Sequence, residues 1–578
     1  MPRLRPLSTV ALTALVSLWC LLALNAAFWG RVWALRPPSS FHDAVFLASL
    51  ALLAFVVINL FLSVLTLVRP LAKPLLALVV VLGALASYFV LAYGVLIDKT
   101  MIRNVFETDA VESAELVNAK LLGYVALLGV LPALAVLRWP LLRLSWRREA
   151  LQRVGVVVAS LAAVGLIAAG FYQDHASLLR NNRELRHVLV PVNWIAGVGS
   201  HIAESTRKPL PYEPIGDGAR TGARLAAPSA APAAATGATA AATAVAAGGP
   251  DRPFVMVLVV GETARAANFG LAGYARQTTP ELAEVPGLVY FTEVSSCGTS
   301  TAISVPCMFS DLGREGFSPQ RARARDNLID ILGKAGWERR WYGNNTNCKG
   351  VCRDVTESRA EPRAHPQFCK PGQPCMDGAM FEDFKRDLGT LASRQVIVMH
   401  MLGSHGPGYH LRYPPAFARF TPECRQTDFS KCAVTDIVNA YDNTVLYTDH
   451  LLADAIASLQ RLSPQVDSAL LYVSDHGESL GENGIFLHAM PYAVAPRLQT
   501  HVPMVFWASP GATDRLGVDM ACIASRRDTP LSHDNLFHSV LGLLDVETRA
   551  RKPELDLFAP CRRPVQPVAG RADPGRAG

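Results

Sequence analysis

The feature that most constrains this chain is a set of five long stretches without a charged residue, all before residue 175. They lie at 6–30, 44–68, 74–97, 121–137 and 154–173. A helix of about 20 apolar residues crosses the hydrocarbon core of a bilayer, so each stretch can form a membrane span. Five such spans exclude a wholly soluble protein. They also exclude a secreted protein whose only apolar segment is a cleavable signal.

The basic residues near these spans predict the orientation of the chain in the membrane. Nine Lys and Arg residues lie in the N-terminus and in the loops after the second and fourth spans. Cytoplasmic loops are enriched in such residues, so the N-terminus is predicted inside and everything after residue 174 outside. The net charge of +7 divides into 14 basic and 8 acidic residues in 1–174, against 41 and 40 beyond. The excess is thus an orientation signal, and we expect no nucleic-acid partner.

The cysteines agree with this orientation. Cys20 lies in the first apolar stretch, and the other ten all follow residue 296. An even number on the outside predicts five disulfides in an oxidising compartment, because a zinc-thiolate site would need paired CxxC motifs that are absent from the sequence. Pairing of sequence neighbours is the simplest arrangement and predicts the bonds Cys297–Cys307, Cys348–Cys352, Cys369–Cys375, Cys424–Cys432 and Cys522–Cys561.

Composition divides the chain into three predicted parts. Residues 1–174 form a transmembrane domain, residues 175–252 hold bridging helices and an Ala/Pro-rich linker, and residues 253–578 form an α/β domain. In the second part, the apolar residues of 187–198 are equally consistent with a helix on the membrane surface and with an ordinary packed connector.

The third part carries four runs of aliphatic residues separated by helical patterns: Val255–Val260, Val396–Met399, Ala469–Val473 and Met504–Trp507. Continuous runs of this kind are typical of buried strands in a parallel sheet. They predict a doubly wound α/β domain with its functional site at the carboxyl ends of the strands.

Polar residues follow three of these runs. The first run is followed by Glu262, the second by His400 and then His405, and the third by Asp475 and His476. Oxygen and imidazole ligands suit zinc. An isolated His is usually structural, and a carboxylate after a strand is often a helix cap. Their recurrence at three strand ends favours a metal site.

A fourth element, residues 295–307, is dense in hydroxyl groups around Gly298. A nucleophile at the start of a helix would have backbone N–H groups facing an incoming phosphate. Such a hydroxyl needs a base or a metal to lower its pKa. The spacing does not choose among Thr299, Ser300 and Thr301. The plainer interpretation is a Ser/Thr-rich helix start next to a disulfide.

Four features together resemble the lipid A phosphoethanolamine transferases, a family that includes the mobile colistin-resistance enzymes. They are the segment CGTSTAISVPCMFS, the strand end VVGET, the stretch SDHGESLGENGIFLH and the five-span N-terminus. The resemblance covers nearly the whole chain except 222–249. It implies a periplasmic domain of the alkaline phosphatase/sulfatase-like superfamily, with a mixed, mostly parallel sheet.

The resemblance also implies roles for individual residues. Thr301 would be the nucleophile and a zinc ligand, and Glu262, Asp475 and His476 would complete the site. One zinc ion is implied and a second is allowed. His405 and His488 would contact the phosphoryl group, the acceptor or a second metal.

A separate set of residues is implied to bind the donor lipid. Asn104, Thr108 and Glu112 are spaced to share one helical face, where a carboxylate could hold an ethanolamine ammonium group. Thr346 and Lys349 match positions near the donor phosphate. Without the resemblance, 104–112 would be interpreted as a solvated loop helix.

The implied enzyme is a zinc-dependent transferase of the bacterial inner membrane, acting as a monomer. It would move phosphoethanolamine from phosphatidylethanolamine to a phosphate of lipid A through a phosphothreonine-type intermediate. Diacylglycerol would leave, and polymyxin resistance would follow. One alternative is transfer to another surface glycan, such as inner-core lipopolysaccharide. A membrane-bound sulfatase or phosphatase is a second, although five spans are then hard to explain. A non-enzymatic receptor is a third, and it would not need the convergent ligand set.

Overall fold

The computed structural model describes residues 5–108, 110–225 and 252–563, and these residues form two compact units. The first unit comprises 1–207 together with 426–432 and 480–494. The second comprises 208–425, 433–479 and 495–578. Of the Ala/Pro-rich linker predicted at 222–249, residues 226–249 lie outside the described residues. The predicted domain boundaries near 174 and 252 stay a prediction.

The first unit is built on apolar helices. Four are long enough to span a membrane: Phe41–Leu65, Arg69–Tyr93, Ala119–Arg138 and Trp146–Asn181. A fifth candidate is a pair of helices, Thr9–Ala23 and Ala26–Leu35, which meet at a bend of 56°. If the bent pair is one span, these helices correspond to the five predicted stretches. Asn25 sits at the bend, where its side chain donates to Cys20 O and accepts from Val190 N.

The predicted donor-lipid segment folds as two helices, not one. The helix Lys99–Glu107 ends because Thr108 is extended, and a second helix, Ala110–Glu115, follows. The Thr108 hydroxyl donates to Asn104 O at 2.7 Å, which is the local competition with helix geometry that threonine often supplies. Asn104, Thr108 and Glu112 therefore do not share one continuous helical face.

The connector after the last span also contains helices, a short one at Arg183–His187 and a longer one at Val192–Ser205. The longer helix packs against Lys99–Glu107, where Arg103 and Glu204 form a salt bridge of 2.8 Å. The segment is thus helical and packs within the first unit, and its position relative to the membrane surface stays a prediction.

Two segments that lie far along the chain, 426–432 and 480–494, belong to the first unit. They contact the membrane helices through hydrogen bonds and aromatic rings. The Tyr93 hydroxyl donates to Thr427 O at 3.1 Å, and Lys120 Nζ donates to Ser430 Oγ at 2.8 Å. The Phe429 ring lies between the rings of Tyr93 and Phe486.

The second unit contains a seven-stranded sheet. Its strands in chain order are β1 (Phe254–Gly261), β2 (Val289–Phe291), β3 (Glu338–Gly343), β4 (Glu357–Ser358), β5 (Arg394–His400), β6 (Asp467–Ser474) and β7 (Met504–Ala508). Their order is β2-β7-β6-β1-β5-β3-β4, and β7 is antiparallel to both of its neighbours, β2 and β6. The predicted mixed, mostly parallel sheet is confirmed. The direction of β7 was not predictable, because an apolar run carries no sign of strand direction.

Helices and short strands surround this sheet. The helices are Pro280–Ala283, Thr301–Met308, Gly313–Gly316, Pro319–Arg323, Leu328–Lys334, Gly378–Asp387, Val434–Leu462, Arg497–Thr500, Pro510–Leu516, Met520–Ser525 and His533–Leu543. The short strands Arg220–Thr221 and Val546–Glu547 pair with each other, as do Val294–Ser295 and Leu531–Ser532. Outside this set, the short strand Phe486–Leu487 belongs to the segment 480–494 of the first unit, and the short strand Ser479–Leu480 lies at the start of that segment.

The register of the three central strands determines where the site forms. All eight residues of β1 are buried, and β1 is parallel to both β5 and β6. Val260 lies opposite His400, and Gly261 lies opposite Ser474. The residues that follow these strands therefore emerge at one edge of the sheet.

Candidate active site

Three buried side chains meet at this edge. Glu262 follows β1, and Asp475 and His476 follow β6; all three are 0% exposed. His476 Nε2 lies 3.3 Å from Glu262 Oε1 and 3.4 Å from Asp475 Oδ2. One potential ligand atom from each residue lies within 4.8 Å of the others. The structure thus brings together three of the predicted zinc ligands.

Backbone contacts orient two of these side chains toward the common centre. His476 Nδ1 lies 2.9 Å from Gly477 O, so Nδ1 donates its proton there, and Nε2 is the ring nitrogen that faces the two carboxylates. Asp475 Oδ1 accepts from the backbone N–H groups of Thr263 and His476. Its other oxygen, Oδ2, faces the centre.

The charges of this cluster fit a divalent cation. Burial, and then the charge of Glu262, raise the pKa of Asp475 to about 7. Burial alone would lower the pKa of His476, but the charges of Asp475 and Glu262 outweigh it and raise that pKa to about 10. Both shifts reflect excess negative charge in a buried place, which a cation would offset. Two carboxylates, an imidazole nitrogen and a hydroxyl are a donor set that suits zinc.

Thr301 supplies that hydroxyl. Its Oγ1 donates to Glu262 Oε2 at 2.9 Å and lies 3.4 Å from His476 Nε2. Thr301 is the first residue of the helix Thr301–Met308, and Ser300 is its extended N-cap residue. The Ser300 hydroxyl is buried and makes no hydrogen bond within the described part of the chain. Among the three candidate nucleophiles Thr299, Ser300 and Thr301, it is therefore the hydroxyl of Thr301 that contacts the proposed ligands Glu262 and His476.

Asn345 is a member of the site that the sequence analysis missed. Its Nδ2 donates to Glu262 Oε2 at 2.6 Å and to Met401 O at 3.2 Å. Asn345 follows β3, a strand that begins with the charged residues of 338–340 and so lacks the continuous apolar run of its neighbours. Its position two residues after a strand end is the signal that could have identified it.

Tyr441 is a second residue that the sequence did not indicate. It lies on the helix Val434–Leu462, and its hydroxyl donates to Thr263 O at 2.7 Å and accepts from Arg265 N at 2.9 Å. Thr263 has a φ of +52°, which is strained for a β-branched residue. The Tyr441 hydroxyl thus stabilises the strained turn immediately after Glu262.

The remaining predicted residues of the second unit lie on loops after β5 and β3. His405 is buried, and its neighbour Ser404 donates its backbone N–H to Glu262 O at 3.0 Å. Thr346 N–H donates to the side chain of Asn345. Lys349 has a φ of +50° and donates its backbone N–H to the side chain of Asn347. The catalytic and donor-binding roles of His405, Thr346 and Lys349 stay predictions.

The other predicted residues belong to the first unit. His488 lies in 480–494, Asn104 lies in the helix Lys99–Glu107 and Thr108 caps that helix. Glu112 lies in the helix Ala110–Glu115, and its side chain is outside what the structure describes. Their roles also stay predictions.

The cysteines of the soluble part are oxidised. The bonds Cys297–Cys307, Cys348–Cys352, Cys369–Cys375 and Cys522–Cys561 form as the sequence predicts. Cys424 and Cys432 are disulfide-bonded as well, and the buried Cys20 is free. The Cys297–Cys307 bond thus encloses Thr301 within a short covalent loop.

The fold and the site define a class: a membrane-spanning unit joined to a domain of the alkaline phosphatase/sulfatase-like type. A sulfatase family model matches residues 255–546, and the family model for the phosphoethanolamine transferases EptA/EptB matches residues 52–206. The two matches cover the soluble domain and most of the membrane part, respectively.

Individual relatives are more specific. The chain is 37% identical over 560 residues to the phosphoethanolamine transferase EptA of Escherichia coli K12, covering 96% of this chain and 98% of that protein. It is 35% identical to the phosphatidylethanolamine transferase Mcr-1 of Escherichia coli, over 94% and 96% of the two chains. The solved integral membrane lipooligosaccharide phosphoethanolamine transferase A of Neisseria meningitidis matches with a TM-score of 0.88 and 38% identity, over 97% and 100%. The chain belongs to the phosphoethanolamine transferase family.

The match to a full-length membrane enzyme also bears on location. It covers the membrane helices and the soluble domain together. The predicted arrangement is confirmed: this is a multi-pass membrane protein with a soluble catalytic domain in the periplasm.

Proposed function

We propose that this protein transfers phosphoethanolamine from phosphatidylethanolamine to a phosphate of lipid A, acting as a monomer. The transfer passes through a covalent phosphoethanolamine–Thr301 intermediate and releases diacylglycerol. The observation that carries the proposal is the Thr301 hydroxyl, which donates to Glu262 Oε2 and lies beside His476 Nε2 at the start of a helix.

The chemistry divides into two displacements. In the first, Thr301 Oγ1 bonds to the donor phosphorus while the bond from phosphorus to the diacylglycerol oxygen breaks. Glu262 Oε2 accepts the hydroxyl proton, which finally resides on the diacylglycerol oxygen. In the second, the oxygen of a protonated lipid A phosphate bonds to the same phosphorus and gives its proton to Glu262 Oε2. The bond from phosphorus to Thr301 Oγ1 breaks, and Oγ1 takes up that proton.

Zinc is the metal that we propose for the site, held by Glu262, Thr301, Asp475 and His476. When bound, zinc would lower the pKa of the Thr301 hydroxyl and offset charge on the phosphoryl oxygens. The fit rests on a buried, anionic set of oxygen and nitrogen donors within 4.8 Å of one another. His405 and His488 are proposed to contact the phosphoryl group, the acceptor or a second ion.

The names of two relatives support the choice of substrates. One is called a phosphatidylethanolamine transferase and another a lipooligosaccharide phosphoethanolamine transferase. We assign donor binding to Asn104, Thr108, Glu112, Thr346 and Lys349. Because this donor and acceptor are both lipids, the membrane helices keep the catalytic domain at the surface where the substrates reside.

A resistance phenotype follows from the charge of the product. An added ethanolamine ammonium offsets negative charge on lipid A. The attraction of a cationic peptide to that surface depends on this charge, so polymyxins would bind less tightly.

The test of the activity is the mass of lipid A from a bacterium that lacks such an enzyme and expresses the full chain. We expect a species heavier by one phosphoethanolamine, absent in Thr301→Ala. Thr301→Ser, which keeps a hydroxyl, is the matched variant and should retain part of the transfer. Unmodified lipid A with the wild-type protein would refute the acceptor, and transfer by Thr301→Ala would refute the nucleophile.

The test of the metal is the zinc content of the purified full chain. We expect at least one ion per chain in the wild-type protein and loss of that ion in Glu262→Ala. Glu281→Ala removes a half-exposed carboxylate that pairs with His450, and it is the matched control. Equal zinc in all three proteins would exclude Glu262 as a ligand.

A further inference from the structure

Two buried side chains outside the proposed ligand set, Ser304 and His533, join the helix of Thr301 to the strand end that carries Asp475. Ser304 is 0% exposed and His533 is 1% exposed. Each contacts backbone groups near Thr301 and near Asp475, and Ser304 Oγ lies 3.4 Å from His533 Nδ1.

Ser304 lies three residues after Thr301, on the same helix. Its Oγ donates to Asp475 O and accepts from Gly298 N at 3.2 Å. One hydroxyl thus contacts the backbone of the proposed ligand Asp475 and the loop that leads into Thr301.

His533 connects the same two parts of the chain through its two ring nitrogens. Nδ1 accepts from Cys297 N at 3.1 Å, and Nε2 lies 2.9 Å from Ser474 O. A nitrogen that accepts from an N–H group carries no proton, so the proton is on Nε2, which donates to Ser474 O. This neutral tautomer connects the start of the Thr301 loop to the residue before Asp475.

The sheet explains why His533 reaches this place. The short strand Leu531–Ser532 is parallel to Val294–Ser295, with Ser532 opposite Ser295. His533 follows directly as the first residue of the helix His533–Leu543, capped by Ser532. The register therefore fixes the imidazole beside Cys297.

We propose that Ser304 and His533 are positioning residues that fix the distance between the Thr301 hydroxyl and the Asp475–His476 strand end. The proposal rests on the proposed function in one respect, the role of Thr301 as nucleophile. The two side chains together make four hydrogen bonds to the backbone, two to the Thr301 loop and two to the strand end. In-line attack on phosphorus is sensitive to displacements of about 1 Å, so loss of either link should affect turnover more than substrate binding.

The variants are His533→Leu, His533→Asn and Ser304→Ala in the full chain. Leucine removes both hydrogen bonds of the imidazole at similar volume, whereas asparagine keeps an acceptor near the position of Nδ1. His538→Leu is the matched control. His538 is also buried on the same helix, but its Nδ1 accepts from Lys552 N. The measurements are the zinc dissociation constant by chelator competition, the thermal midpoint, and kcat and KM at saturating zinc.

We expect kcat to fall by about 10- to 100-fold in His533→Leu and Ser304→Ala, with the donor KM within about twofold of wild type. The zinc dissociation constant should rise by about tenfold. His533→Asn should recover part of kcat. His538→Leu should lower the thermal midpoint and leave kcat unchanged. If His533→Leu does not fold, His533→Asn and Ser304→Ala still decide the matter.

Two outcomes would overturn the inference: wild-type kcat in both Ser304→Ala and His533→Asn, or an equal loss of kcat in His538→Leu. Failure of the proposed function would be seen separately. If the wild-type protein transfers no phosphoethanolamine, the zinc constants of the same variants still measure whether Ser304 and His533 hold the Asp475 strand end. Unchanged zinc constants would then refute the inference.

Discussion

Removal of one hydroxyl group, in Tyr441→Phe, should weaken the site without changing any proposed ligand. Tyr441 Oη supplies two of the hydrogen bonds that hold the turn after Glu262, one to Thr263 O and one from Arg265 N. Two more are donated by Thr263 N–H to Asp475 Oδ1 and by Ala264 N–H to Ser474 Oγ.

The magnitude follows from this count. A buried backbone group left without a partner costs about 1 to 3 kcal/mol, so two such groups cost about 2 to 4 kcal/mol after partial relaxation. The positive φ of Thr263 stores strain on the order of 1 to 3 kcal/mol. The free energy of the lost hydrogen bonds is thus of the same order as the strain that they oppose. The turn should relax and displace Glu262, and zinc affinity should fall by about 10- to 100-fold.

The assay is the zinc dissociation constant of the full chain, measured by chelator competition. Tyr290→Phe is the matched control, because the Tyr290 hydroxyl is buried and makes no hydrogen bond among the described residues. Thr263→Gly, which relieves the strain, should reduce the effect of Tyr441→Phe in the double variant. Equal zinc constants for Tyr441→Phe and Tyr290→Phe would refute the reasoning.

Three further predictions follow from contacts around the site. Asn345→Ala should weaken zinc binding by about tenfold in the same assay, because it removes the 2.6 Å hydrogen bond to Glu262; an unchanged constant would contradict this. Gly403→Ala should abolish transfer, because the φ of Gly403 is +52° and a Cβ there would lie 2.7 Å from Glu262 O. Gly218→Ala, whose Cβ would meet open space, should retain transfer. Equal transfer by the two variants would exclude the clash. Burial lowers the pKa of His538 to about 4 in the folded state. The unfolded chain therefore binds more protons between about pH 4 and 6.5, and stability falls as the pH drops through that window. His538→Asn should show a shallower pH dependence of the thermal midpoint, and an identical slope would refute the assignment.

The part of the site that the sequence predicts is the part carried by strand ends. Glu262, Asp475 and His476 each follow a continuous apolar run, and the parallel register of β1 and β6 places them at one edge. The sequence pattern alone does not identify Thr301 among its neighbouring hydroxyls, and only the structure or the family resemblance does so. Consecutive hydroxyls at a helix start point in different directions, and sequence spacing does not say which one faces the metal ligands.

The residues that the sequence missed act through distant contacts. Tyr441 lies 178 residues from Thr263 and looks like any buried aromatic residue of a long helix. The prediction that Asn104, Thr108 and Glu112 share one helical face was wrong for a local reason. The helix ends at Glu107, and the Thr108 side chain donates a hydrogen bond to Asn104 O at that end, whereas the spacing of the residues alone would continue the helix.

The two segments 426–432 and 480–494 have a consequence for any exchange of parts between relatives. They are encoded within the catalytic half of the chain but pack with the membrane helices, through contacts such as Tyr93 to Thr427 and Lys120 to Ser430. A chimera cut once, between the last span and the catalytic domain, would combine the helices of one parent with the segments of the other. A chimera that moves both segments along with the helices keeps these contacts native. The natural unit of exchange in this protein is therefore discontinuous in sequence.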